Sequence, residues 1–223
     1  MLGVRFLRRA ITAALLAIAP SPAVSGERDA EPGAFDFYVL SLSWSPSYCA
    51  AEGAGANERQ CGGARPYAFV VHGLWPQYER GYPEFCRSRQ PDRVPDRLVQ
   101  DHLDIVPSAG LIGHQWRKHG SCSGLGQADY FALTRAARER VSVPAEFSRL
   151  AAPRMVAPDA VEELFIAANP GIEPEGIAVI CDRRYLREVR ICLTRDLRFR
   201  ACREVDRKAC RLDTALMPPA RGG

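Results

Sequence analysis

The chain has 223 residues, 47% of them hydrophobic and 25% charged, a balance that supplies one sizeable core and excludes collagen-like, disordered and multi-span membrane classes. Thirty Lys and Arg against 26 Asp and Glu give a formal charge of +4, a basic surplus compatible with an anionic partner but too small to name one. Eight cysteines are more than a cytosolic enzyme of this size usually carries, which leaves disulfides or metal thiolates as the choice.

The amino terminus favours disulfides. Residues 1–26 read as a secretory signal peptide: Arg5, Arg8 and Arg9 without an acid, an apolar run over 10–19, then a small, turn-forming stretch with plausible cleavage near Ala23 or Gly26. The run is well short of the ~20 residues a spanning helix needs, so no membrane contact is expected after its removal. Export implies a secreted or periplasmic location, where eight cysteines form four disulfides of a connectivity that spacing alone leaves open. Loss of residues 1–26 leaves 27 basic against 26 acidic side chains, so attraction to an anion must be local. Residues 27–223 show no repeat or linker and are expected to form a single domain.

Taken in order, residues 37–44 mix β-formers with partial alternation and stop before Pro46, as a half-buried strand does. A second strand is expected over 67–72, a helix through 114–119 that Gly120 stops and Leu111, Ile112 and Trp116 anchor, and another helix over 128–141. Asp159-Ala160-Val161-Glu162 has the form of a capping box opening a helix that Asn169-Pro170-Gly171 closes. Residues 177–181 form a short apolar strand. Val189, Ile191 and Leu193, then Leu197, Phe199 and Ala201, alternate with polar or charged neighbours around a turn at Thr194-Arg195-Asp196, which predicts a hairpin. Without a βαβα rhythm, this mixture predicts an α+β fold with a central antiparallel sheet. From 181 to 211 ten Arg and one Lys face five acids; the solvated face of an edge hairpin is preferred here over an RNA-guiding surface.

The four histidines carry the most information. Phe69-Val70-Val71-His72-Gly73-Leu74-Trp75-Pro76 delivers an imidazole at the end of an apolar strand. His114-Gln115-Trp116-Arg117-Lys118-His119-Gly120 reads as a helix with a glycine stop, and the i, i+4 spacing puts His114 with Lys118, and Gln115 with His119, on one broad side. Paired imidazoles titrate near operating pH, so one can take a proton while the other gives one. A lysine beside them stabilises negative charge developing on a phosphoryl group. Lysine occurs only at 118 and 208, so its place in this cluster is not average surface composition.

These segments, His72-Gly73-Leu74-Trp75-Pro76 and His114-Gln115-Trp116-Arg117-Lys118-His119-Gly120-Ser121-Cys122, resemble the two active-site segments of the T2-type ribonucleases, and the likeness extends to Phe35-Asp36-Phe37-Tyr38-Val39-Leu40 and the cysteine pattern. The resemblance implies a metal-independent, cofactor-free endoribonuclease acting on single-stranded RNA as a monomer. His119 would take the proton of the 2′-hydroxyl, His72 would protonate the departing 5′-oxygen, and Lys118 would stabilise the phosphorane-like transition state. The product would be a 2′,3′-cyclic phosphate, later hydrolysed to a 3′-phosphate, and DNA would be inert for want of the nucleophile. His114 and Trp75 would contact phosphate, and Trp75 with Tyr82 would form an aromatic base site. The implied disulfides are Cys86 with Cys122, Cys181 with Cys210 around Cys192 with Cys202, and Cys49 with Cys61.

Gln115 departs from the pattern, which has glutamate at this position in most members. An amide can donate to a phosphoryl oxygen without the repulsion of an ionised carboxylate, so the contact is expected to survive with an altered pH profile. The competing expectation is a catalytically weakened, secreted RNA-binding relative. A zinc hydrolase is disfavoured by the five-residue spacing of His114 and His119 and by Lys118. A cysteine hydrolase built on Gly120-Ser121-Cys122-Ser123-Gly124 requires Cys122 to be a free thiol.

Overall fold

The computed structural model describes residues 30–63, 65–148 and 150–220; the expected signal peptide lies outside the described residues. In chain order the elements are β1 (Phe37–Trp44), α1 (Ser45–Glu52), α2 (Glu58–Cys61), β2 (Phe69–Gln77), α3 (Asp96–Gln100), α4 (Ala109–Lys118), α5 (Gln127–Arg140), α6 (Ala145–Ser148), β3 (Arg154–Val156), α7 (Pro158–Ala168), β4 (Ile177–Cys181), β5 (Leu186–Leu193), α8 (Arg203–Asp206) and β6 (Ala215–Met217). Four strands form an antiparallel sheet in the order β2-β1-β5-β4, and β3 pairs with β6 separately. The expected α+β class with a central antiparallel sheet is the one observed.

Alternation along β1 sets up two faces. Tyr38, Leu40, Leu42 and Trp44 enter the main core with Leu74, Ile112, Trp116, Phe131, Phe165 and Ile191, each large apolar side chain contributing ~1.5–3 kcal/mol by leaving water. Phe37 and Val39 join Ala178, Cys192, Cys202 and Val205 in a smaller cluster on the opposite face. That second face is only partly covered, and the functional groups stand on it.

Strand β2 runs to Gln77 rather than ending at His72. Ser41 pairs with Gly73 and Leu42 with Val71, so His72 is the extra residue of a β-bulge. In a regular strand residues three apart face opposite sides, yet His72 and Trp75 line the same cleft; the bulge resets the parity between them.

The hairpin expected after β5 is shortened to one bridge, Leu193 with Phe199. Both edges of β5 are already paired, with β1 and β4, and Leu197 adopts a positive φ of 61°, which breaks the returning alternation. The arginine-rich segment is therefore not an exposed edge. Helix α7 likewise starts two residues earlier than its capping-box pattern suggests: Ala157 is the N-cap and Pro158 occupies the first turn, where its missing N–H costs nothing. Glu162 instead accepts from the Val179 backbone N–H of β4 at 2.6 Å.

Helix α4 begins where the Ser108 hydroxyl accepts from Leu111 N–H at 3.2 Å and is pinned by buried Ile112 and Trp116, whose indole donates to Pro91 O. It ends at Lys118, and His119 caps it before a 3₁₀ turn over Gly120–Cys122. Gly120 packs where a Cβ would strike the Trp116 and Tyr130 rings.

Candidate active site

A cleft of about 230 Å³ opens between α4 and the less covered sheet face. Its walls include every site residue read from the sequence: His72 and Trp75 from β2, Tyr82 from the following loop, and His114, Gln115, Lys118 and His119 from α4. The fourth histidine, His102, is a core residue whose Nδ1 bonds Leu98 O one helical turn back. Arg190 and Lys208 also line the cleft, and neither was singled out among the basic residues. The concentration of cations suits an anionic ligand.

His72 is held from behind. Its Nδ1 lies 2.5 Å from Glu188 Oε1 on β5, while Glu188 Oε2 accepts from Arg190 Nε and Nη2 at 3.0 and 2.8 Å. Burial pushes the Glu188 carboxyl up, but the hydrogen bond and charge of His72 and the pair with Arg190 outweigh it and bring it down to about 2. Glu188 escaped the sequence reading because an acid alternating with apolar residues looks like a solvated strand face. The signal lay in its being one of only five acids among eleven basic residues of that segment.

His119 has a different setting. Its ring is buried, and Nδ1 has no hydrogen-bond partner. Burial foremost, then the charges of Lys118, His72 and His114, press its pKa down to about 3. A charged ring taken out of water beside Lys118 is costly, so the neutral form is favoured. The His114 pKa is lowered as well, by burial and then by Lys118, Arg117 and His72.

Trp75 stands between the two catalytic candidates, with ring centroids 5.2 Å from His72 and 5.3 Å from His119, and the Arg190 guanidinium lies over it at 5.1 Å. Its indole N–H donates to Gln115 Oε1 at 2.7 Å. The Gln115 oxygen is thus committed, and what the amide can still offer a ligand is the Nε2 donor pair. Gly73 is required here because a Cβ would overlap both Gln115 Oε1 and Trp75 Nε1. Lys118 rests 3.3 Å from Glu84 and 6.0 Å from the Tyr82 ring centroid. Tyr82 is the more open aromatic surface, and its loop is held by the Gly81 N–H donating to Glu204 of α8.

All eight cysteines are paired, in the four combinations the resemblance implied. Cys86–Cys122 ties the loop after β2 to the turn after α4, and Phe85 N–H donates to Lys118 O beside it. Cys122 is therefore not a free nucleophile. Cys192–Cys202 and Cys181–Cys210 hold the α8 segment against the sheet, where Val205 and Lys208 complete the cleft.

The profile described as "Ribonuclease T2 family" matches residues 35–202. A ribonuclease of Aeromonas hydrophila is 39% identical over 170 residues, covering 74% of this chain and 75% of that protein. Ribonuclease DdI of Dictyostelium discoideum is 30% identical over 139 residues, 57% of this chain and 60% of its own length. Among solved structures, the RNase-related protein from Calystegia sepium superimposes with a TM-score of 0.66 at 18% identity, covering 84% of this chain and 98% of that one. RNase NT in complex with 5′-AMP gives 0.55 at 23% identity, covering 83% and 98%. The fold is shared with these structures, and the profile spans β2, α4 and the Cys86–Cys122 disulfide that joins them: the chain belongs to the Ribonuclease T2 family.

Proposed function

We propose that this chain is a secreted or periplasmic, monomeric endoribonuclease that cleaves single-stranded RNA without a metal, through attack of the substrate's own 2′-hydroxyl. The observation that carries the reading is two imidazoles in different surroundings on one cleft, with Lys118 on its helix wall. His119, kept neutral by burial and neighbouring charge, accepts the 2′-hydroxyl proton as the O2′–P bond forms. His72, its Nδ1 engaged by Glu188, presents Nε2 to protonate the 5′-oxygen as the P–O5′ bond breaks. Lys118 leaves Glu84 to meet the charge developing on the phosphoryl oxygens, and His114 and the Gln115 Nε2 donors add contacts. In the second step water takes the place of the 5′-oxygen and the two imidazoles exchange roles, converting the 2′,3′-cyclic phosphate to a 3′-phosphate. A base stacks on Tyr82 with Trp75 at the floor, a grip that every base can use. The signal peptide over 1–26 and the four disulfides support export.

The test is chemical. Mature protein incubated in excess chelator with RNA and DNA oligonucleotides of one sequence is expected to release 2′,3′-cyclic phosphate ends from RNA alone, and His72→Ala and His119→Ala should each lower the rate by about 10²- to 10⁴-fold. Comparable cutting of DNA, or loss of cleavage in chelator, refutes the mechanism. Binding of RNA without cleavage would establish the weakened RNA-binding relative instead.

A further inference from the structure

Behind His72, on the side of an adjoining cavity, lies a buried carboxylate that the mechanism above leaves without a role in proton transfer. Glu188 sits on β5, a strand hydrogen-bonded along both edges, and its side chain is 11% exposed. Each of its oxygens is committed to a different partner. Oε1 faces His72 Nδ1 at 2.5 Å, and Oε2 takes two donors from Arg190. Cross-strand register explains the encounter: Glu188 pairs with Ser43 of β1, Ser43 pairs with Val70 of β2, and the bulge at His72 swings the imidazole onto the same face.

We propose that Glu188 is the positioning residue of the general acid: clamped by Arg190, its carboxylate fixes the proton of His72 on Nδ1, aims Nε2 at the departing 5′-oxygen and stabilises the imidazolium that must donate there. This inference rests on the ribonuclease reading. The proton balance is simple: the proton given to O5′ comes from His72 Nε2, Nδ1–H stays hydrogen-bonded to Glu188 throughout, and the carboxylate itself neither gains nor loses a proton. A neighbouring carboxylate that holds an imidazole's tautomer and favours its cationic form is a general device of acid–base catalysis. The remaining groups around His72 act the other way. His114, Lys118 and His119 of α4 face it across the cleft with positive or neutral charge. On its other side Arg187 and Glu52 line an adjoining cavity, paired loosely with each other at 3.9 Å. Glu188 is thus the anion in direct contact with the ring.

The discriminating experiment compares two substrates in wild type and in Glu188→Gln, which keeps shape and a hydrogen-bond acceptor while removing the charge. With a dinucleotide, whose 5′-alkoxide leaves only when protonated, turnover is expected to fall by about 10- to 100-fold, a share of the 10²- to 10⁴-fold that general acids supply. With the p-nitrophenyl ester of uridine 3′-phosphate, whose phenolate leaves unaided, the variant should match wild type to within about twofold, because little acid catalysis remains to be lost. The alkaline limb of the dinucleotide pH–kcat profile, where the acid loses its proton, should move to lower pH. Glu188→Ala serves as a second variant, with thermal melting of both to show that they fold. Equal losses on the two substrates with an unmoved pH limb mean that Glu188 only supports the fold, and no loss on either means that it is idle; both overturn the proposal. Failure of wild type to cleave the dinucleotide, or undiminished cleavage by His72→Ala, instead sinks the ribonuclease reading and this inference with it.

Discussion

His119 comes from the end of a helix, buried beside Lys118 and two further imidazoles, whereas His72 comes from a bulged strand and leans on a carboxylate. The two side chains are chemically the same, and their roles follow from what surrounds them. Desolvation and repulsion keep the helix imidazole neutral and ready to accept a proton. The strand imidazole has a fixed Nδ1 partner and one nitrogen left to give from. Two like side chains in one cleft are thus given different tasks by the groups around them before any substrate arrives.

The largest expected effect separates the two histidines. On an RNA dinucleotide His72→Ala and His119→Ala should be alike, each down by about 10²- to 10⁴-fold. On an aryl ester that needs no leaving-group protonation, His119→Ala should stay that low while His72→Ala recovers most of its rate. Recovery by His119→Ala instead would exchange the assignments.

A smaller effect comes from the helix side alone. Lys118→Met should lower kcat/KM by about 10²- to 10³-fold through lost charge stabilisation. It should also move the acid limb of the kcat/KM profile. His119 works as the neutral ring, so activity is lost as pH falls through its pKa, at about 3 in the free protein; removing an adjacent cation makes the ring easier to protonate and shifts that limb to higher pH. An acid limb that stays in place would show that Lys118 does not act on His119.

The smallest concerns Gln115. Gln115→Glu can still accept the Trp75 indole N–H, but its second oxygen replaces the Nε2 donors. We expect roughly tenfold slower cleavage where that carboxyl is ionised, with recovery on acidification toward its ordinary range near ~4.3. A pH–rate profile that superimposes on wild type would remove Gln115 from contact with the phosphoryl group.

Much of this was legible in the residues. The spans of β1 and β4 and the helix bearing His114 follow from local pattern, since apolar periodicity and turn residues act over a few positions, while the convergence of the two histidine segments was implied by the family resemblance. What stayed hidden depends on partners distant in sequence. Pairing of β5 on both edges turned an expected hairpin into an interior strand, and with that Arg190 changed from a solvated charge into part of the cleft wall and Glu188 into the buried partner of His72. The end of β2 was misplaced for a related reason. A bulge breaks the alternation by which a strand is recognised, and only cross-strand register reveals that the strand continues.

That bulge makes chain length a determinant of activity separate from stability. Leu74 beyond it and Val71 before it both reach the main core, so a β2 shorter by one residue could retain most of its ladder and much of its apolar anchoring. Deletion of His72 is such a change: Val71 and Leu74 become two apart, as a regular strand requires, and the imidazole is lost from the cleft. A single-residue deletion in β2 is therefore a change that a folding assay could overlook and a cleavage assay could not.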